Sequence, residues 1–251
     1  MKLSFMTFVC PNWGIEKIVG FAKDGGYDGV ELRVDEGHKH GISSRSSPVD
    51  RQRVKRLFRN NGIEVACIAT STQFGVSDPV KLKGNVEDAK ANIRLAGDLE
   101  SKVVRIFAGG DLPKMTDEVA NHTAEAFTEV GDYAKQFGVS PMLETLHDIV
   151  KSAEDAMLVV KGIRTSNFGI LWNHSDIDGQ SFNLLKDRIR HFHVHDEVLD
   201  PENRNILNLA RLMKGINYDG HVSLEIIKGY DLPESLLIET AKRLKGYIAQ
   251  V

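Results

Sequence analysis

Four apolar segments of the chain each end in a residue that can bind a metal ion. These residues are Glu144 in LETLH, Asn173 in LWNHSD, His193 in RHFHVHD and Glu225 in SLEI. Each segment has the length and composition of a buried strand, and a helix-like stretch follows each one. Side chains on four consecutive strand ends can meet only if the strands are neighbours in a closed sheet. The spacing therefore predicts one site for a divalent cation.

The ligand types restrict the metal. Two carboxylates, one imidazole and one further oxygen suit Mn²⁺, Mg²⁺, Zn²⁺ or Co²⁺, and no thiolate demands a softer ion. Taken singly, each residue is better explained as a solvated, salt-bridged or hydrogen-bonded side chain. Four such residues in phase on successive strands favour a shared site.

Further polar and aromatic residues lie near predicted strand ends and are candidates for binding a substrate. They are Glu31, Arg105, His147, Trp172, His195 and Lys228. Arg105 lies within an apolar strand, where a guanidinium is costly to bury unless it meets an anion or a hydroxyl-rich ligand. The alternative for Arg105 is a structural ion pair with Glu144 or Glu31 at the barrel mouth.

Strand-like and helix-like segments alternate along almost the whole chain. Short apolar runs predict strands at 2–8, 28–34, 64–70, 102–108, 139–145, 168–173, 189–195 and 221–227. Amphipathic patterns predict helices at 15–23, 50–61, 82–99, 117–137, 153–163 and 234–248. Asp50, Thr116 and Ser152 are the predicted N-terminal caps of three of these helices.

This alternation predicts a single-domain (β/α)₈ TIM barrel over residues 1–251. An open doubly wound sheet is the second interpretation, but CPNWG follows the first strand instead of a G-x-G-x-x-G phosphate loop. The longest irregular stretches, 35–48, 75–81 and 196–204, all follow strands. We therefore expect them on the C-terminal face, where barrel active sites are built.

Composition excludes several classes of partner. The net charge is −3, from 32 basic and 35 acidic residues, and no basic stripe favours nucleic acid. No apolar run approaches the roughly 18 residues of a membrane span, and the N-terminal segment lacks signal-peptide features. Cys10 and Cys67 make no disulfide framework. The sequence thus predicts a cytoplasmic protein without a nucleic-acid or membrane partner.

In their order and spacing, GYDGVELR, KVVRIFAGG, LETLHD, FGILWNHSD, IRHFHVHD and VSLEI resemble the xylose isomerase-like barrel superfamily. This superfamily contains sugar phosphate isomerases and epimerases and endonuclease IV. The resemblance covers essentially the whole chain and implies that Glu144, Asn173, His193 and Glu225 hold the metal. It also implies that the substrate pocket contains Glu31, Arg105 and His147.

The chain departs from the family pattern at the sixth strand. Many relatives read W-D-x-x-H there, whereas this chain reads WNHSD, so Asn173 replaces the carboxylate and Asp176 stands at the position of the His. An amide oxygen can still bind a metal but brings no charge. Asp176 or His174 is a candidate substitute for the missing ligand.

The resemblance implies an isomerase or epimerase of a sugar, sugar acid or cyclic polyol, in which Glu144 and Glu225 move a proton through an enediolate. One alternative is a dehydratase on a hydroxylated ring that uses the same site. Another is a non-catalytic sugar-binding barrel with a weakened metal site. Endonuclease-like chemistry is disfavoured, because few of the 9 His residues are placed for a metal cluster. Barrels of this kind often pair, which makes a homodimer the expected alternative to a monomer.

Overall fold

The computed structural model describes residues 1–173, 179–203, 205–227 and 232–251. Its eight parallel strands pair in chain order and close into a barrel, confirming the predicted (β/α)₈ fold. The strands are β1 (Lys2–Met6), β2 (Gly29–Arg33), β3 (Glu64–Gly75), β4 (Val103–Gly110), β5 (Ser140–Glu144), β6 (Gly169–Asn173), β7 (Ile189–Val194) and β8 (His221–Leu224). The helices are α1 (Ile15–Asp24), α2 (Pro48–Asn61), α3 (Pro79–Asp98), α4 (Asp117–Ala134), α5 (Ala153–Gly162), α6 (Gly179–Leu185), α7 (Asn205–Gly215) and α8 (Glu234–Ala249).

The strands bury both of their faces, as their nearly continuous apolar sequences require. Outward side chains pack against the helices in one large hydrophobic core. In that core the ring of Phe127 lies 5.0 Å from Phe74 and 5.1 Å from Phe168, edge to face in both cases. A separate, small apolar cluster lies inside the barrel. It consists of Cys67, Val103, Met142 and Leu171.

Local sequence sets the helix starts. The hydroxyl of Ser152 accepts a hydrogen bond from the Asp155 amide, and the Asp155 carboxylate accepts one from the Ser152 amide in return. The Thr116 side chain likewise caps α4. The predicted cap Asp50 is wrong, because α2 begins with Pro48 and its cap is Ser47. Proline is suited to the first helical position, since its fixed φ is already helical.

Strand β3 runs to Gly75, five residues beyond the predicted end at 70. Gly75 pairs with Gly110, and a Cβ at Gly75 would lie 1.9 Å from the carbonyl oxygen of Ala108. Only glycine permits this close approach of two strands. Within the described part of the chain, no helix is long and apolar enough to cross a membrane.

Phe127→Ala should cost about 3–5 kcal/mol of unfolding free energy, because it empties a ring-sized volume that is 0% exposed. Urea denaturation of the two proteins measures the difference. Val80→Ala is the control, since Val80 is 80% exposed and its loss should change stability by no more than about 0.5 kcal/mol. A cost for Phe127→Ala as small as that of the control would contradict the described core.

Candidate metal centre

Three of the four predicted ligands meet inside the C-terminal end of the barrel. Glu144 ends β5, His193 lies in β7, and Glu225 directly follows β8. Their ligand atoms all lie within 4.8 Å of one another. His193 Nδ1 is 2.9 Å from Glu225 Oε2 and 3.5 Å from Glu144 Oε1. Each of these side chains is at least nine-tenths buried.

One carboxylate oxygen at this point has no hydrogen bond to any described residue. Glu144 Oε2 accepts a hydrogen bond from Arg105 Nη1 at 3.0 Å, but the buried Glu144 Oε1 accepts none from the part of the chain that the structure describes. A buried carboxylate oxygen is normally paired with a donor or a cation. Because this oxygen faces the same space as His193 Nδ1, the donor set of Glu144, His193 and Glu225 fits a divalent cation.

Asn173, the fourth predicted ligand, lies at the edge of this cluster. It ends β6 beside His193, and its Oδ1 is 2.7 Å from His195 Nε2. The same His195 nitrogen is 3.8 Å from Glu225 Oε2, so Asn173 joins the cluster through His195. Ligation by Asn173 stays a prediction. Three further predicted site residues lie outside the described part of the chain: His174, Asp176 and Lys228.

Arg105 is buried between the carboxylates and is only 2% exposed. Its Nη1 lies 3.0 Å from Glu144 and 3.5 Å from Glu225, and its Nη2 donates to the carbonyl of Thr70. Burial alone would lower the pKa of Arg105, but these carboxylates outweigh burial and raise it. The structural ion pair with Glu144, which was the alternative for Arg105 from the sequence, is therefore present. Contact of Arg105 with a substrate stays a prediction.

Glu31 lies behind His193 and is 0% exposed. Its Oε2 is 2.8 Å from His191 Nε2, and both of its oxygens are 3.1 Å from His193 Nε2. Burial would raise the pKa of Glu31, but His193 and His191 hold it well below its usual range. No role was predicted for His191 from the sequence. The alternation in RHFHVHD is the signal that places His191 on the same inward face as His193.

The buried charges favour a cation. Burial lowers the pKa of His193, but the neighbouring carboxylates of Glu31, Glu225 and Glu144 outweigh burial and raise it well above the usual range. Burial would raise the pKa of Glu225, yet His193 and Arg105 lower it to about 2. Arg105 contacts two of the three carboxylates, and the negative charge around the His193 ring favours a proton or a metal ion at His193 Nδ1.

Two histidines reach the open mouth of the barrel. His147 is exposed and its ring lies 4.4 Å from that of Phe107, tilted by 30°. Phe107 also contacts the guanidinium of Arg105, with 4.3 Å from Cζ to the ring centroid. The side chain of His195 is 26% exposed. His147 and His195 are therefore accessible from solvent, whereas Arg105 is buried against the ring of Phe107.

Trp172 is not brought to the mouth. It is 2% exposed, belongs to the core between sheet and helices, and packs edge to face on Phe182 at 6.0 Å. Its neighbours Leu171 and Asn173 point into the barrel, so alternation turns Trp172 outward. The structure thus gives no support to the predicted substrate contact of Trp172, because its ring faces the helices.

Arg33 is a second buried arginine near the mouth, and sequence reasoning passed over it. It ends β2 and is 4% exposed. Its Nη2 lies 2.6 Å from Glu36 and from the hydroxyl of Ser71. Burial lowers the pKa of Arg33 to about 10. Its spacing of two from Glu31 was the available signal, since residues two apart in a strand share a face.

Comparison with known proteins supports the same architecture. A family model described as a xylose isomerase-like TIM barrel matches residues 19–247. Solved structures with similar folds include a D-psicose 3-epimerase with D-tagatose from Clostridium cellulolyticum H10, which is 14% identical with a TM-score of 0.82. The alignment covers 100% of this chain and 99% of that one.

Two further structures resemble the chain over nearly its whole length. The IolI protein with a bound zinc atom is 19% identical, with a TM-score of 0.79 and coverage of 100% and 99%. The probable 3-DHS dehydratase AsbF from Bacillus anthracis is 17% identical, with a TM-score of 0.74 and coverage of 98% and 99%. At these identities the likeness shows the fold. No curated protein sequence matches the chain.

Arg105→Met should destabilise the metal-free protein by about 3–5 kcal/mol, because it leaves two buried carboxylates without their counter-charge. Urea denaturation in the presence of a chelator measures the loss. Arg53→Met is the control, since the Arg53–Glu16 pair is exposed and should contribute about 1 kcal/mol or less. Equal losses in the two variants would show that the buried guanidinium is not needed to hold the carboxylates.

Proposed function

The chain belongs to the xylose isomerase-like TIM barrel family, and we propose from this premise that it is a metal-dependent isomerase or epimerase. Its substrate would be a sugar, a sugar acid or a cyclic polyol. The observation that carries the proposal is the pair of buried carboxylates, Glu144 and Glu225, beside the imidazole of His193. The fold shared with a D-psicose 3-epimerase supports it.

The reaction would move a proton at a carbon next to a carbonyl group. Glu144 would act on one side of the substrate carbon and Glu225 on the other, one removing the proton and the other returning it. Such a pair needs one carboxylate charged and one protonated at the right moment. A divalent cation held by Glu144, His193 and Glu225 would, when bound, stabilise negative charge on the substrate oxygen.

The surroundings of the two carboxylates suit this task. Arg105 contacts both, at 3.0 Å from Glu144 and 3.5 Å from Glu225, and so limits their rotation. The Oε1 of Glu144, which accepts no hydrogen bond from the described residues, would be available to a substrate proton or a metal ion. Glu225 is held on its other side by His193. Preorganised groups of this kind need little rearrangement when the substrate binds.

Substrate recognition would fall to residues at the mouth. His147 is exposed and His195 is partly exposed, and both can hydrogen-bond to hydroxyl or carboxylate groups. Zinc is supported as one candidate metal by the zinc-bound IolI structure, with Mn²⁺, Mg²⁺ and Co²⁺ as the other candidates. A cytoplasmic location and a homodimer remain predictions from the sequence.

A dehydratase is the second candidate, and the fold shared with the probable 3-DHS dehydratase AsbF favours it. The same enolate would form, but it would lose a hydroxide from the neighbouring carbon instead of regaining a proton. The product then contains a conjugated double bond. Its ultraviolet absorbance distinguishes this reaction from isomerisation.

The first test of the proposal is proton exchange. The metal-loaded protein, incubated in D₂O with a panel of ketoses and keto acids, should place deuterium at the carbon next to the carbonyl of at least one compound. Proton NMR measures the incorporation. A chelator should abolish it, and absence of deuterium and of new ultraviolet absorbance across a broad panel would contradict both catalytic candidates.

Glu144→Gln and Glu225→Gln should each slow this exchange by about 10²–10⁴-fold, because each removes one acid–base group. Glu64→Gln is the matched control, since Glu64 pairs with His221 at the opposite face of the barrel. The Glu64→Gln protein should catalyse deuterium exchange at the wild-type rate.

If the native site is weakened, as the third interpretation holds, Asn173→Asp should strengthen divalent metal binding by at least about tenfold, because it adds a charge beside the cluster. Calorimetric titration of the metal-free proteins measures the change. A large gain would support the third interpretation, a weakened site that binds a sugar-like ligand without turning it over. An unchanged affinity would show that the native donor set needs no carboxylate at position 173.

A further inference from the structure

The two nitrogens of the His193 ring face different carboxylates. Nδ1 faces the candidate metal ligands, 2.9 Å from Glu225 and 3.5 Å from Glu144. Nε2 faces away from them, 3.1 Å from both oxygens of Glu31. The ring therefore bridges the cluster and a separate buried carboxylate that is no part of it.

Glu31 accepts hydrogen bonds from two rings. A charged carboxylate offers only acceptor oxygens, so the nitrogens that face it must carry the hydrogens. His191 Nε2, at 2.8 Å, donates to one oxygen, and His193 Nε2 donates across both. The two rings meet edge to face at 5.4 Å, which fixes their relative orientation. With its proton on Nε2, a neutral His193 keeps its lone pair on Nδ1.

We propose that Glu31 and His191 are a positioning pair that fixes the tautomer and orientation of the His193 ring, so that Nδ1 binds the metal. Glu31 then acts through His193 and does not touch the substrate, which replaces the pocket role inferred from the family resemblance. The inference rests on the metal site of the proposed function and not on its reaction.

The location of Glu31 supports a role behind the ligand. Glu31 is 0% exposed and His191 1% exposed, and His193 lies between Glu31 and the cluster of Glu144 and Glu225. Carboxylates that accept the second N–H of a metal-binding histidine typically change metal affinity by about 10–100-fold when they are removed. The measurable effect should therefore appear in metal binding even though no ligand is altered.

The test compares Glu31→Gln with Glu64→Gln in calorimetric titrations of metal-free protein with Zn²⁺ and Co²⁺. Glu64 is a matched control, because it also pairs with a histidine, His221 Nε2 at 2.9 Å, but at the N-terminal face of the barrel. Glu31→Gln should weaken binding by about 10–100-fold. Glu64→Gln should bind both ions as the wild type does.

A second measurement reports the tautomer directly. In Zn²⁺-loaded protein labelled with ¹⁵N-histidine, His193 should show a protonated Nε2 and a metal-shifted Nδ1. In Glu31→Gln the Nε2–H signal should lose the downfield shift of a carboxylate hydrogen bond, and in Glu64→Gln it should keep that shift. Assignment comes from the signal that disappears in His193→Gln.

His191 variants keep the test decisive if Glu31→Gln does not fold. His191→Leu removes the donor to Glu31 and should weaken metal binding several-fold, while His191→Gln keeps an N–H group and should bind more tightly than His191→Leu.

Any one of three outcomes would overturn the inference. They are wild-type metal affinity in both Glu31→Gln and His191→Leu, metal coordination through Nε2 of His193, and no metal binding by the wild type. Metal affinity that depends on Glu31 in a protein without proton exchange would refute the proposed reaction and leave the inference standing.

Discussion

The hydrogen bonds of the His193 ring, to Glu225 on one side and to Glu31 on the other, are the constraint on which the site depends. The contacts extend further, because Glu144 at the end of β5 accepts a hydrogen bond from Arg105 in β4. Charges buried this deeply are tolerated only when each has a partner. The side chains of five strands must therefore stay in a fixed register, and a rigid barrel is the scaffold that supplies it.

The sequence was sufficient for the fold and for the centre of the site, for a physical reason. Parallel strands covered on both faces are short apolar runs, and the alternation with helices leaves few topologies. Glu144, His193 and Glu225 interrupt such runs at their ends. Because all parallel strands of a barrel end at the same face, residues at these ends converge there when their side chains point inward.

Which face of a strand points inward could not be read so easily. A run that is apolar throughout does not show which of its residues point inward, and Trp172, a candidate substrate contact from the sequence, packs outward against Phe182. Arg33 and His191 were passed over although their spacing of two from Glu31 and His193 was visible in the sequence. The start of α2 was missed because Pro48 began the helix earlier than its amphipathic pattern did. The differences at Trp172 and α2 reflect packing between separate segments and a backbone constraint, neither of which composition shows.

The apolar layer between sheet and helices is large, whereas the apolar cluster within the barrel comprises four of the described residues, one of which is Cys67. The packing that stabilises the fold therefore lies mainly between the sheet and the helices, whereas the candidate site lies inside the barrel. Such a division lets lineages exchange the polar lining and the mouth loops for new substrates while the outer packing keeps the chain folded. The same division explains how barrels with fewer than one residue in five in common can retain one shape.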